Sequence, residues 1–211
     1  DYQFVNNNAV SRSMQHMIDL LQEQAFEKDT EVLDKFYQSV RTNVGGIDNL
    51  EGKQTIIKNL YEKFFKGAFP LTVEKLGIVY TPVECVDFII HSVNDILKAE
   101  FNTSLTGQNV HILDPFTGTG TFITRLLQSG LIRPEDMERK YLNEIHCNEI
   151  VLLAYYIADV NIESVFHEIT HRKTYLPYSG ICLTDTFQLA EKKHNELFTE
   201  FFQDNSKRVK K

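Results

Sequence analysis

Apolar residues recur at helical spacing through the first third of the chain. Met14, Met17, Ile18, Leu21 and Ala25 form one stripe, Val32, Leu33, Phe36, Tyr37 and Val40 a second, and Ile56, Ile57, Leu60, Tyr61, Phe64 and Phe65 a third. Three amphipathic helices are expected, with breaks near Asp29-Thr30, after Asn43-Val44-Gly45-Gly46, and at Gly67 and Pro70. Their Met and aromatic stripes read as helix-packing core. Further on, short branched runs alternate with helical spacing. Val110 to Leu113, Asn143 to Cys147 and Ile181 to Thr184 read as strands, while Thr121 to Leu127 and Ile150 to Val160 read as helices. Thr81-Pro82-Val83-Glu84 has a capping hydroxyl, a proline at the first helical position and an acid three residues after the cap. That helix should run to about Ala99 and bury Val86, Ile89, Ile90, Val93 and Leu97. Pro134-Glu135-Asp136 starts another. The alternation predicts a parallel sheet with Val110 to Leu113 at its centre, and a separate helical layer before about Pro70.

Between the first strand and its helix stands Asp114-Pro115-Phe116-Thr117-Gly118-Thr119-Gly120-Thr121-Phe122. Gly118 and Gly120 let the backbone turn sharply and approach a ligand closely, which marks a cofactor loop at a strand's carboxyl end. What the loop lacks narrows the ligand. A triphosphate cradle needs Lys-Ser/Thr after its last glycine, where this chain has Thr121-Phe122, and a dinucleotide fingerprint needs three spaced glycines. Asp114 at the strand end suits a cationic or amine-bearing ligand, because a carboxylate repels phosphates.

The stretch Asp-Pro-Phe-Thr-Gly-Thr-Gly-Thr-Phe resembles the S-adenosylmethionine loop of amino-methylating DNA methyltransferases, most of all that of the single-chain Type ISP restriction-modification enzymes. Leu76-Gly77-Ile78-Val79-Tyr80-Thr81-Pro82 resembles the family's second cofactor segment, and the resemblance extends from about Leu50 to the end. It implies an α/β, Rossmann-like S-adenosylmethionine-dependent methyltransferase fold, present in part and preceded by a small all-helical segment. The expected division is a helical coupler over 1–70 and the cofactor-binding part of the methyltransferase over 71–211. In relatives Tyr80, Thr81 and Pro82 would line the methionine end of the cofactor, beside Asp114, Pro115, Phe116, Thr117, Gly118 and Gly120. Glu149, at the end of the second strand, would take both ribose hydroxyls; Glu144 is its rival, since strand boundaries carry errors of a few residues. Asp185 would accept from the adenine amine, with Phe187 or Phe116 offering an aromatic face, a helix cap being the alternative for Asp185. Double-stranded DNA is the partner the resemblance implies for the full-length protein, with helicase and nuclease domains in the same natural chain.

Composition narrows this further. With 22 basic and 29 acidic residues among 211, the net charge of −7 argues against a surface that is nucleic-acid footprint throughout. Apolar residues at 42% and charged residues at 24% are ordinary for a globular protein. Cys85, Cys147 and Cys182 are expected to be three reduced, buried thiols. No apolar run has the length of a membrane span and no signal opens the chain, so a cytoplasmic location is expected. The start without Met reads as the edge of a longer protein, and Lys207-Arg208-Val209-Lys210-Lys211 as a solvated tail.

Two other readings compete. His167-Glu168-Ile169-Thr170-His171 fits a zinc-peptidase pattern, with Glu191 as a third ligand, although the pentapeptide falls where its helix should be ending. A non-catalytic docking module is the second. The chain contains no Asn/Asp-Pro-Pro-Tyr/Phe segment of the kind that holds a flipped base, and Pro177-Tyr178 lacks both the amide residue and the second proline. The expectation is a fragment that stops before its catalytic segment and transfers no methyl group by itself.

Overall fold

The computed structural model of the protein describes residues 2–21, Thr42 and 81–187. The second and third expected helices, Tyr80 with the segment before it, Glu191 and the basic tail lie outside these residues. Contacts divide the chain into two compact units, Asp1–His16 with Thr81–Lys211 and Met17–Tyr80. The first unit holds every strand among the described residues.

The chain opens with α1 (Tyr2–Asn7) and α2 (Ala9–Leu21), separated by Asn8. Asn8 Oδ1 accepts the amides of Val10 and Ser11, each at 2.9 Å, and so satisfies two of the donors that a helix start leaves open. Helix α3 (Val83–Phe101) starts differently from the expected capping box. Pro82 itself occupies the cap position in an extended conformation, no described side chain caps the helix, and the Pro82 carbonyl receives the amides of Cys85 and Val86 at 3.0 and 3.1 Å. Its inward face carries Val86, Ile90 and Asn94, whereas Ile89 and Val93, expected inside, are both 42% exposed. Asn94 moves the buried stripe because its Oδ1 accepts the Leu105 amide at 3.2 Å, fixing the loop that leaves the helix. Cys85 is exposed, contrary to expectation, while Cys147 and Cys182 are buried.

Then come β1 (Ile112–Asp114), α4 (Thr121–Gln128), α5 (Pro134–Arg139), a π-helical turn (Lys140–Glu144), β2 (Ile145–Glu149), α6 (Leu152–Thr170) and β3 (Ile181–Leu183). The second strand begins two residues later than expected because the π turn, which no spacing pattern announces, occupies Asn143 and Glu144. All pairing is parallel, Ile112 opposite Ile145 and Cys147 opposite Ile181. The order is β1-β2-β3.

That order corrects two expectations. Among the described residues β1 lies at an edge and β2 is central. The expected Rossmann-like methyltransferase fold is not what these strands form: a doubly wound sheet reverses its strand order and opens a crevice at the reversal, and among the described residues the sheet has three strands and no reversal. Strands added in one direction by right-handed crossovers carry their helices on one face, and α4 and α6 indeed pack against each other. On β2, Ile145, Cys147 and Glu149 are buried while His146 and Asn148 are only half-buried. His146 stacks on His111 with ring centroids 5.2 Å apart, and Leu113 beside them is 56% exposed.

The amino end of the sheet is fixed by a buried cation. Lys140 is fully buried; its Nζ donates to the carbonyls of Gly107 and Val110, each at 2.7 Å, and pairs with Glu144 at 2.8 Å. The wider π turn places this lysine under the chain entering β1. Arg139 also pairs with Glu144, which accepts the Asn109 amide at 3.1 Å. Burial alone would raise the Glu144 carboxyl, but Lys140, Arg139 and the Asn109 amide outweigh it and hold it at about 2.

Lys140→Met is expected to destabilise the protein by about 3–5 kcal/mol, as removal of one member of a buried ion pair does, measured by urea unfolding. Because the Glu144 carboxyl lies below its ordinary value of 4.5, its contribution is present above that value and lost as pH falls towards about 2. Glu144→Gln should therefore flatten the acid limb of the stability curve.

Candidate functional site

The three strand ends deliver their loops to one place, and a carboxylate holds them there. Glu149, the last residue of β2, accepts the Gly118 amide at 2.7 Å through one oxygen and the Val151 amide at 2.7 Å through the other. One side chain thus fixes the turn of the glycine loop and the entry to α6. The main chain adds Thr117 N to Asn148 O at 3.0 Å and Thr184 N to Glu149 O at 2.9 Å. The Asn148 side-chain amide donates to Thr186 Oγ1 at 3.2 Å, and that hydroxyl donates to the Pro115 carbonyl at 2.6 Å, so the first and third loops are bound through the second.

Both loop glycines have positive φ, 57° at Gly118 and 85° at Gly120. Gly118 faces open space, so its requirement is conformational. At Gly120 the requirement is also one of room: a Cβ would come within 3.2 Å of the Ala158 Cα on α6. Asn161 of the same helix donates its amide to the Thr119 carbonyl at 3.0 Å. Helix α6 is therefore the floor of the loop, and α4 starts from Gly120 with Thr124 N bonded to its carbonyl at 2.9 Å.

Asp114 ends β1 inside this cluster. Its Oδ1 accepts the Phe116 amide at 3.2 Å, while Oδ2 is buried without a hydrogen-bond partner among the described residues. Burial raises its carboxyl above the ordinary value. Burial raises Glu149 as well, against three backbone amides that favour the charged form, with the Asp114 charge adding to the rise. Two buried acids thus stand together at the strand ends, with no cation beside Asp114 Oδ2 among the described residues. Beside them the Phe116 and Phe187 rings, 61% and 77% exposed, lie 5.3 Å apart and tilted by 35°. Asp185 accepts the Phe187 amide at 3.0 Å, which folds that ring back towards Phe116.

Of the residues expected at the site, Asp114, Pro115, Phe116, Thr117, Gly118, Gly120, Glu149, Asp185 and Phe187 are joined by these contacts. Tyr80 lies outside the described residues. Thr81 and Pro82 precede α3, and among the described residues no hydrogen bond joins them to the loop. What ties α3 to the loop helix is Asp87, which receives Arg125 Nε and Nη2 at 2.8 and 2.6 Å. Glu144, the rival to Glu149, pairs with Lys140 and Arg139 at the opposite end of β2. Sequence reasoning missed Asn148, Thr186 and Asn161, ordinary polar residues whose only signal is adjacency to a strand end or the polar break in an apolar helix.

The zinc-peptidase pattern does not assemble. Helix α6 stops at Thr170, and His171 lies past its end in the left-handed region at φ 48°. His167 Nε2 accepts the Leu176 amide at 3.1 Å and its ring stacks on Tyr175. Among the described residues no three His, Cys, Asp or Glu could share a metal ion. Tyr178 is core: its hydroxyl donates to the Ile145 carbonyl at 3.0 Å and its ring packs on Tyr141.

Comparison with known proteins places this geometry in a family context. Residues 1–52 match the Type ISP restriction-modification enzyme coupler domain. This match, on a coupler rather than a methyltransferase, is the second finding against the expected Rossmann-like methyltransferase fold. Among solved structures, a nuclease-deletion mutant of the Type ISP enzyme LlaGI, in complex with a DNA substrate mimic, is 48% identical with a TM-score of 0.85, over 99% of this chain and 17% of that one. The ATP-dependent Type ISP enzyme LlaBIII bound to DNA is 49% identical with a TM-score of 0.83, over 97% of this chain and 14% of its own. The DrdV–DNA complex, solved by cryo-electron microscopy, is 34% identical with a TM-score of 0.85, over 99% and 20%. The chain thus spans less than a fifth of the first two relatives. No curated protein matches it. No helix of the described residues is long and apolar enough to cross a membrane.

Asp114→Asn is expected to stabilise the protein by on the order of 1 kcal/mol, by removing a charge that burial disfavours. The sign follows from the raised carboxyl: its protonated form is the one the fold prefers, so stability falls as pH rises through the folded-state value. Thermal unfolding at neutral pH should show the gain, and it should vanish near pH ~3, below the ordinary carboxyl range.

Proposed function

We propose that the strand-end loops of this chain bind S-adenosylmethionine, and that the chain supplies the cofactor-binding part of a DNA adenine-N6 methyltransferase within a restriction-modification enzyme. The observation that carries the reading is the buried Oδ2 of Asp114, without a hydrogen-bond partner among the described residues, beside a glycine loop pinned by a second carboxylate. An ammonium group would give that oxygen the partner it lacks, and a sulfonium charge would relieve the repulsion between Asp114 and Glu149. Phosphate-bearing cofactors fit poorly, since two carboxylates would face their charge.

The remaining parts suit the rest of such a ligand. Glu149 has accepting capacity beyond the Gly118 and Val151 amides, so a ribose diol can share it. The open side of Gly118 leaves room over the loop, and the Phe116–Phe187 pair offers a face for a purine, with Asp185 beside it. Thr81 and Pro82, with Tyr80, remain assigned to the methionine end. When bound, the cofactor supplies a methyl group activated by its sulfonium; the chain's residues hold and orient it.

Support for the DNA substrate comes from the relatives, since LlaGI, LlaBIII and DrdV are each described in complex with DNA or a DNA mimic. Helicase and nuclease domains in the same natural chain belong to this proposal, as does the division into a coupler over 1–70 and a cofactor-binding part over 71–211. The 211 residues contain no Asn/Asp-Pro-Pro-Tyr/Phe segment, so the base-holding step is assigned to sequence outside them.

Titration calorimetry with S-adenosylmethionine tests the reading. Glu149→Gln, which keeps one acceptor but loses the charge, should weaken binding by about 1.5–3 kcal/mol, or roughly 10- to 100-fold. Asp114→Asn should weaken it comparably while raising the thermal midpoint, a split that mere unfolding would not produce. The chain alone should transfer no labelled methyl group to DNA. Absence of cofactor binding by the unaltered protein would turn the reading towards a docking module.

A further inference from the structure

The turn at Asn8 and the glycine loop both rest on neighbouring positions of one helix, α6. Asn8, between α1 and α2, is buried and uses all of its hydrogen-bonding capacity. Its Oδ1 takes the Val10 and Ser11 amides. Its Nδ2 donates to Tyr155 Oη at 2.9 Å and to Asp159 Oδ2, both on α6 and both buried. Ala9 and Val10, which follow it, are fully buried as well. An ordinary helix cap needs only the two accepted amides; the two donated bonds tie the cap to α6.

Asp159 stands next to Ala158, against whose backbone Gly120 packs, and within the same helical turn as Asn161, which holds the Thr119 carbonyl. Interiors packed at crystal density pass such displacements on rather than absorbing them. We propose that Asn8 is a positioning residue for the 115–120 loop, acting through α6: its two donated bonds set where Ala158 and Asn161 stand, and these set the floor under Thr119 and Gly120. The proposal needs the loop geometry alone; only its cofactor consequence rests on the function proposed above.

Hydrogen exchange, read by mass spectrometry on the full chain, tests it without any ligand. Asn8→Asp keeps the oxygen that caps α2 but replaces the two donors with a carboxylate facing Asp159. Exchange across 115–124 should then quicken by about tenfold, within the range by which residues off a site modulate it. The amides around Lys140, at the other end of β2, should change far less. Adding Asp159→Asn to Asn8→Asp re-forms the bond with donor and acceptor exchanged, and should return the loop to its original protection. Asn8→Ser, which can cap α2 but is too short to reach α6, serves if Asn8→Asp does not fold, and should also loosen the loop selectively. In the cofactor titration the single variant should bind several-fold more weakly and the paired exchange should recover. Uniform quickening throughout the unit, an unchanged loop, or failure of the paired exchange to restore protection would each overturn the proposal. Failure of the unaltered protein to bind the cofactor would overturn the functional reading and leave the exchange result standing.

Discussion

Everything at the strand ends depends on one carboxylate accepting two amides. Glu149 closes β2, and its two oxygens reach the Gly118 amide on one side and the Val151 amide on the other. A loop in left-handed conformation at two positions has little intrinsic preference for its shape, because glycine forfeits the most conformational entropy on ordering. Charge-assisted bonds to its amides, stronger than neutral ones, restore that preference. The same residue leaves the α6 start without a separate cap: Val151 occupies the cap position, no side chain there serves it, and Glu149 takes its amide from outside.

The ends of β2 put acids to opposite uses. At the amino end Glu144 is surrounded by Lys140 and Arg139, its carboxyl held low, and it contributes to stability wherever it is ionised. At the carboxyl end Asp114 and Glu149 lie without a cation among the described residues, and their carboxyls are raised by burial. β2 thus runs from a carboxylate paired with cations to one that, among the described residues, is held by backbone amides alone. Burying an acid without a cation is expensive, so the cost is concentrated at the end of the sheet where the positive-φ loop lies.

Much of this was legible in the chain. The glycine turn, the helix after it and the place of Glu149 at the end of the second strand follow from local patterns whose physics is local, turn chemistry and apolar spacing, whereas the helix read over Ile150 to Val160 runs on to Thr170 because Asn161 and Glu163 are buried within it. What escaped reading is tertiary. The π turn at Lys140–Glu144 displaced β2 because a buried lysine's need for carbonyl partners overrode the strand pattern. The stripe on α3 turned because Asn94 is inside, and no hydropathy pattern favours a buried asparagine over Ile89 or Val93. Strand order cannot be read from strand sequences of this length, so among the described residues the central place expected for Val110 to Leu113 went to β2, and the expected Rossmann-like architecture did not follow from the loop.

That separation of loop from architecture bears on how the site could arise. A glycine turn with an acid before it and an acid on the next strand needs only two parallel strands and the helix over them, here β1, β2 and α6. Without a reversal in strand order among the described residues, the three loops are instead tied together by Asn148 and Thr186 and backed by one helix. Helix α6 carries the burden a larger sheet would otherwise share. Its polar residues Asp159, Asn161 and Glu163 are all buried, each meeting a different neighbour: Asn8, the Thr119 carbonyl, and Tyr175 with the Tyr178 amide. A helix tied to three different neighbours, through Asp159 and Glu163 on one face and Asn161 on another, gives the loop resting on it a fixed support.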